Sequence, residues 1–96
     1  MALNPVIRLH TDDNVVVTRM DITLGQSIDS ENVVSREQVG AGYKIATRKI
    51  EAGEPIVKYN TVIGFASTDI APGAMVHSHN ITFQDYDRDY AYASAY

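Results

Sequence analysis

Apolar residues along this chain come in short runs broken by polar ones, and no run keeps helical spacing for three turns. Stretches rich in Val, Ile, Thr and Tyr occupy residues 6–10, 14–20, 43–48, 55–59, 62–67 and 74–83, each bounded by Gly, Pro, Asp or Asn. That pattern predicts strands, and leaves residues 30–38 room for a single helical turn. The expected class is all-β. One motif recurs four times, apolar-x-x-Gly-x-x-apolar: Ile22…Gly25…Ile28, Val39…Gly42…Ile45, Ile50…Gly53…Ile56 and Ile70…Gly73…Val76. Its glycines are unevenly spaced, which argues against a solenoid. Four similar corners are the better reading. Each buries an apolar residue, turns at a glycine able to take positive φ, and enters a new strand. A chain that bends so often makes a small bent-hairpin or barrel-like domain.

Composition narrows the picture. Ninety-six residues make one domain, burying about 60–65% of the surface its unfolded chain exposes. Such a domain has a modest core and little room for a deep, walled active site. A binding module or a subunit of a larger enzyme is therefore expected before a complete enzyme. A formal charge of −4 offers no basic stripe for phosphates, so nucleic acid is not an expected partner. The chain has no cysteine, hence no disulfide frame and no thiolate chemistry. Residues 1–5 lack the basic and apolar regions of a secretory signal, and no segment reaches the roughly 20 apolar residues that span a bilayer. A cytoplasmic protein without membrane contact is the expectation. Residues 1–84 read as the domain proper. Residues 85–96 are acidic and tyrosine-rich, without Val, Ile or Leu, and read as a tail that docks on another surface; Arg88 there stands among Asp85, Asp87 and Asp89.

The candidate chemistry centres on Val76-His77-Ser78-His79-Asn80. In an extended strand His77 and His79 share one face, roughly 6.5–7 Å apart. Two imidazoles so placed suit proton transfer near neutral pH, or metal ligation with a third donor. Asn80 would face the other way, serving the turn or joining the site through a bulge. Asp12-Asp13-Asn14 ahead of Val15-Val16-Val17 reads either as a carboxylate pair for metal or acid–base work or as turn chemistry. Lys44 and Lys58, in strand-like runs beside glycine corners, are candidate cations for a carboxylated ligand. His10 carries no neighbouring signal and is read as structural. No phosphate loop, Gly-x-Ser-x-Gly elbow or His-Glu-x-x-His helix is present.

Several of these segments together resemble a known family. Asp13-Asn14-Val15-Val16-Val17, Gly42-Tyr43-Lys44-Ile45-Ala46, the run from Ile50 to Tyr59, Ile63-Gly64-Phe65-Ala66, Asp69-Ile70-Ala71-Pro72-Gly73 and Val76-His77-Ser78-His79-Asn80 follow in the order seen in the small N-terminal domain of altronate and galactarate dehydratases. That module is a SAF domain with a β-clip fold, and the resemblance covers roughly residues 5–92. It implies the small subunit, or an N-terminal domain, of a hydro-lyase that dehydrates a sugar acid such as altronate or galactarate to a 2-keto-3-deoxy acid. The site would be shared with a large subunit or domain. A divalent metal, iron or manganese, is implied for the complete enzyme, with none assured on this chain. His77 and His79 would carry protons or touch substrate, with metal ligation second. Lys44 and Lys58 would orient the carboxylate, and Asn14 and Asn80 would bond hydroxyls. Family members often carry histidine at the position of Tyr43. Alternatives stay open: a non-catalytic SAF module that binds a partner or a carbohydrate acid, or the small subunit of a sulfolactate sulfo-lyase. Homo-oligomerisation is open as well.

Overall fold

The computed structural model describes residues 3–83; the acidic tail read at 85–96 lies outside them. The elements are β1 (Val6–Ile7), β2 (Val15–Thr18), β3 (Ser27–Ile28), one 3-10 turn (Asp29–Glu31), β4 (Val33–Val34), β5 (Lys44–Ala46), β6 (Pro55–Lys58), β7 (Thr61–Ala66), β8 (Met75–Val76) and β9 (Ile81–Thr82). They form a four-stranded sheet in the order β1-β2-β5-β8, a three-stranded sheet β6-β7-β9 and the β3-β4 pair. Every strand pairing is antiparallel. The all-β expectation holds.

The repeated corner explains most of this. In each copy the residue after the glycine donates its N–H to the carbonyl three residues back: Gln26 to Thr23 at 3.0 Å, Tyr43 to Gly40 at 3.4 Å, Glu54 to Glu51 at 2.9 Å and Ala74 to Ala71 at 3.1 Å. All four glycines have positive φ. Positive φ at the third position only, closed by that bond, is a type II turn, and Pro72 before Gly73 is its favoured partner. Gly73 is more constrained than Gly25 or Gly42, at φ +85° with the Val34 carbonyl pressed where a Cβ would stand.

The apolar residues flanking these turns form the core, and they sort into two clusters. One holds Val6, Val16, Ile22, Ile28, Val39 and Ile45; the other holds Val15, Ala46, Ile50, Ile56, Ala66, Ile70 and Val76. Bridges between Ile22 and Val39, and between Ile50 and Ile70, pair the first corner with the second and the third with the fourth. The domain is thus two similar halves that share the β2–β5 ladder. Val15 pairs with Ala46 toward one cluster, and Val16 pairs with Ile45 toward the other, as the two-residue alternation of a strand requires.

Two sequence expectations need correction. Residues 30–38 hold a 3-10 turn at their start and then β4, which pairs with an unforeseen β3. Residues 74–83 are not one strand. The chain leaves β8 at Val76, turns through His77–Asn80 and re-enters as β9. The cause is Asn80, whose side-chain oxygen accepts the His77 N–H at 2.9 Å while its amide donates to the Met75 carbonyl at 2.8 Å. The His77 carbonyl in turn accepts from Asn80 and Ile81 at 3.0 and 3.1 Å. A side chain that supplies the backbone with partners competes directly with a sheet ladder.

Candidate functional site

One open cleft of about 520 Å³ is lined by Lys44 from β5, Lys58 from β6, Ile63 from β7, His77 and Ser78 from the turn, Ile81 from β9, and Phe83. Cross-strand register places Lys44 beside the turn, because Lys44 pairs with Val76, the residue before His77. Lys58 ends β6 opposite Thr61, across a two-residue connection made by Tyr59 and Asn60. Positive φ at both connecting residues (53° and 56°) marks the type I′ geometry that matches strand twist.

Two buried residues hold β6 in place. Asn14 donates its side-chain amide to the Pro55 carbonyl at 2.9 Å and accepts the Val57 N–H at 2.8 Å. The Asp13 carboxylate accepts the N–H groups of Tyr59 and Asn60, each at 2.7 Å, which favours the left-handed backbone these non-glycine residues adopt. The loop delivering both residues is itself tied down. Arg8 bonds the carbonyls of His10, Thr11 and Asp13 and pairs with the Glu31 carboxylate, which holds the guanidinium firmly protonated.

The sequence-predicted residues therefore separate. Lys44, Lys58 and His77 meet at the cleft. His79 is exposed in the same turn and does not line it, because the expected strand alternation is absent there. Asn14 is 2% exposed and Asn80 5%, with both ends of each amide engaged by backbone. They support the strand carrying Lys58 and the turn carrying His77 rather than facing a ligand. Asp12 and His10 form local turn structure, with the Asp12 N–H donated to His10 Nδ1 at 3.1 Å. Sequence reasoning missed Ser78, Ile63, Ile81 and Phe83 as lining residues, and missed the support from Asp13. The Tyr59-Asn60 step between two strand-like runs was the available signal for a turn needing such support.

Replacing Asn14 by alanine should cost ~2–4 kcal/mol, since it strips partners from the Val57 N–H and the Pro55 carbonyl. Urea denaturation reads the loss, and amide exchange should speed up at Val57 more than at Ile45. Equal acceleration at both positions would remove the special role of Asn14.

The cleft favours anions. The ion pairs among the described residues that need no histidine charge are Arg8–Glu31 and Arg48–Glu54, and neither cleft lysine joins one. Burial lowers the Lys44 pKa from the ordinary lysine value, and the charge of Lys58 lowers it further. A bound carboxylate would supply a counter-charge that works against both. The same donors do not suit a divalent cation. No group of three or more His, Cys, Asp or Glu converges among the described residues, and two ammonium groups would oppose the ion.

Residues 4–84 match the altronate/galactarate dehydratase SAF domain. The chain belongs to that family. It is 41% identical over 76 residues to altronate dehydratase of Escherichia coli (strain K12), covering 77% of this chain and 15% of that protein. Altronate dehydratase of Bacillus subtilis (strain 168) is 37% identical over 76 residues, with the same coverage. The (2R)-sulfolactate sulfo-lyase subunit alpha of Paracoccus pantotrophus is 31% identical over 48 residues, which is half of this chain and 72% of that subunit. The SAF domain thus spans a small fraction of the two dehydratases and most of the sulfo-lyase subunit. No helix among the described residues is long and apolar enough to cross a membrane.

Proposed function

We propose that this SAF domain is the small subunit or N-terminal part of a hydro-lyase that dehydrates a sugar acid, such as altronate or galactarate, to a 2-keto-3-deoxy acid. The observation that carries the reading is the convergence of Lys44, Lys58 and His77 on one cleft in a chain of this family. A large catalytic partner completes the cleft on its open side, and the enzyme works in the cytoplasm. Lys44 and Lys58 hold the substrate carboxylate. The proton on the neighbouring carbon leaves to a base, the hydroxyl one carbon further departs as water after protonation, and the resulting enol becomes the 2-keto acid. Two ammoniums at the carboxylate stabilise the charge that spreads onto it when the proton leaves. His77 sits where an imidazole can carry one of these protons. A divalent metal in the complete enzyme would take its ligands chiefly from the large partner and would supply further stabilisation of the developing charge.

A second reading has its own support in the sulfo-lyase relative, a subunit of which this chain covers most. Sulfolactate is also a carboxylate, so the two lysines would serve it equally, with sulfite in place of water as the leaving group. Co-purification with the product of a neighbouring large-subunit gene, then assay on altronate, galactarate and sulfolactate, separates the two. His77→Ala in that assembly should lower kcat by about 10²–10⁴-fold with substrate binding largely kept. Unchanged turnover would take His77 out of the chemistry.

A further inference from the structure

We infer that Tyr43 is a positioning residue that holds the His77 imidazole toward the cleft. The inference rests on the reading of His77 as a substrate-facing group, and it follows from the way the second corner is built. Each of the four corners ends in one residue after its glycine: Gln26, Tyr43, Glu54 and Ala74. Three corners close without an aromatic ring, so the turn does not require one. Nor does the core, because Tyr43 is 40% exposed. Its ring instead stands against His77, with centroids 5.0 Å apart and planes at 86°. That is the edge-to-face arrangement aromatic quadrupoles favour.

The backbone under this ring is unusually well fixed. Thr18, 3% exposed, donates its hydroxyl to the Gly40 carbonyl at 2.8 Å and accepts the Tyr43 N–H at 3.1 Å. Its own backbone N–H bonds the Tyr43 carbonyl, and its carbonyl accepts the Gly42 N–H, both at 2.9 Å. Gly40 then provides the seat. A Cβ there would lie 3.3 Å from Tyr43 Cε2 and 3.4 Å from Cδ2, so the missing side chain gives the ring its place. On the other side, Asn80 fixes the backbone of His77 but leaves its side-chain torsions free. The Tyr43 ring limits those torsions. Thr18, Gly40 and Tyr43 on one side and Asn80 on the other thus set the direction of a single exposed imidazole.

NMR of the 96-residue protein tests the inference apart from any activity. Tyr43→Ala should abolish the ring-current displacement of the His77 ring protons and average the His77 side-chain couplings toward mixed rotamers, whereas Tyr43→Phe should keep both near wild type. Gly40→Ala, which leaves Tyr43 in the chain but crowds its ring, should shift the same His77 resonances by a smaller amount; with Tyr43→Phe it preserves the test if Tyr43→Ala fails to fold. In the assembled enzyme Tyr43→Ala should reduce kcat/KM about three- to tenfold, the range of one aromatic pair, and Tyr43→Phe should restore it. Unmoved His77 resonances and couplings in the folded variants would overturn the inference. Released His77 rotamers with unchanged turnover would uphold the positioning and overturn the catalytic reading of His77 instead.

Discussion

Gly73→Ala should come close to unfolding this domain, while Gly25→Ala should merely weaken it. Both glycines have the positive φ that a type II corner demands, 85° and 84°. Alanine in that region costs roughly 1–2 kcal/mol at either position. The surroundings then separate them. A Cβ on Gly25 meets nothing within 4 Å, whereas one on Gly73 drives into the Val34 carbonyl and approaches Arg36. Backbone cannot swing aside as a side chain can. The Gly73 carbonyl also accepts the Arg36 N–H at 3.0 Å, and the Gly73 N–H donates to Ala46 at 2.8 Å, so a shift of the corner breaks two further bonds. The total should reach ~4 kcal/mol or more, a large part of the 5–15 kcal/mol that holds a typical domain. By circular dichroism, Gly25→Ala should melt about 4–16 °C below wild type, and Gly73→Ala should show no cooperative transition or one lower by 20 °C or so. Melting points within a few degrees of each other would show that the Gly73 corner is not locked against β4.

The second large effect belongs to the lysine pair. Replacing Lys44 or Lys58 by methionine in the assembled enzyme should lower kcat/KM about 10–150-fold, as expected for a lost hydrogen bond between charged groups worth ~1.5–3 kcal/mol. The isolated domain offers a cleaner readout. Burial, and then Lys58, keep the Lys44 pKa below the ordinary 10.5. The charged form is therefore the one the fold disfavours. Its cost is fully present below the folded pKa and fades as pH rises from there toward the unfolded value, because in that window the unfolded chain binds more protons. Stability gained from this group therefore increases with alkaline pH. Lys58→Met should move the Lys44 titration upward by NMR without restoring it fully, since burial, the larger cause, remains. Adding a sugar acid should raise it too, through a counter-charge. A Lys44 titration indifferent to both changes would mean that the two ammoniums do not share a site.

Tyr43 gains interest from the same cleft. A phenol carries protons at neutral pH less readily than an imidazole. The ring contact with His77 gives the tyrosine a role that needs no proton transfer of its own.

What was legible in the chain alone was most of what short-range pattern sets. The motif apolar-x-x-Gly-x-x-apolar located all four corners, and its eight apolar positions, from Ile22 to Val76, are buried to 2% exposure or less. Lys44 and Lys58 stood out as cations inside β-rich runs beside glycine corners. These features depend on φ at one glycine and on two-residue alternation, both readable within seven residues. The tertiary structure decided what depends on partners far apart. Asn14 looked like a ligand contact until β6, more than 40 residues away in sequence, proved to claim both ends of its amide. His79 is a different case, a local one: it looked equivalent to His77 because strand propensity hid the side chain of Asn80, whose bonds to His77 and Met75, three and five residues back, draw the backbone out of the sheet and into a turn. Tyr43 reaches His77 through the β5–β8 register, and the two lysines meet only because β6 packs beside the start of β2. Periodicity records which face a residue occupies; which buried polar group finds which backbone amide is settled when the chain packs, because an unpaired one costs too much to tolerate.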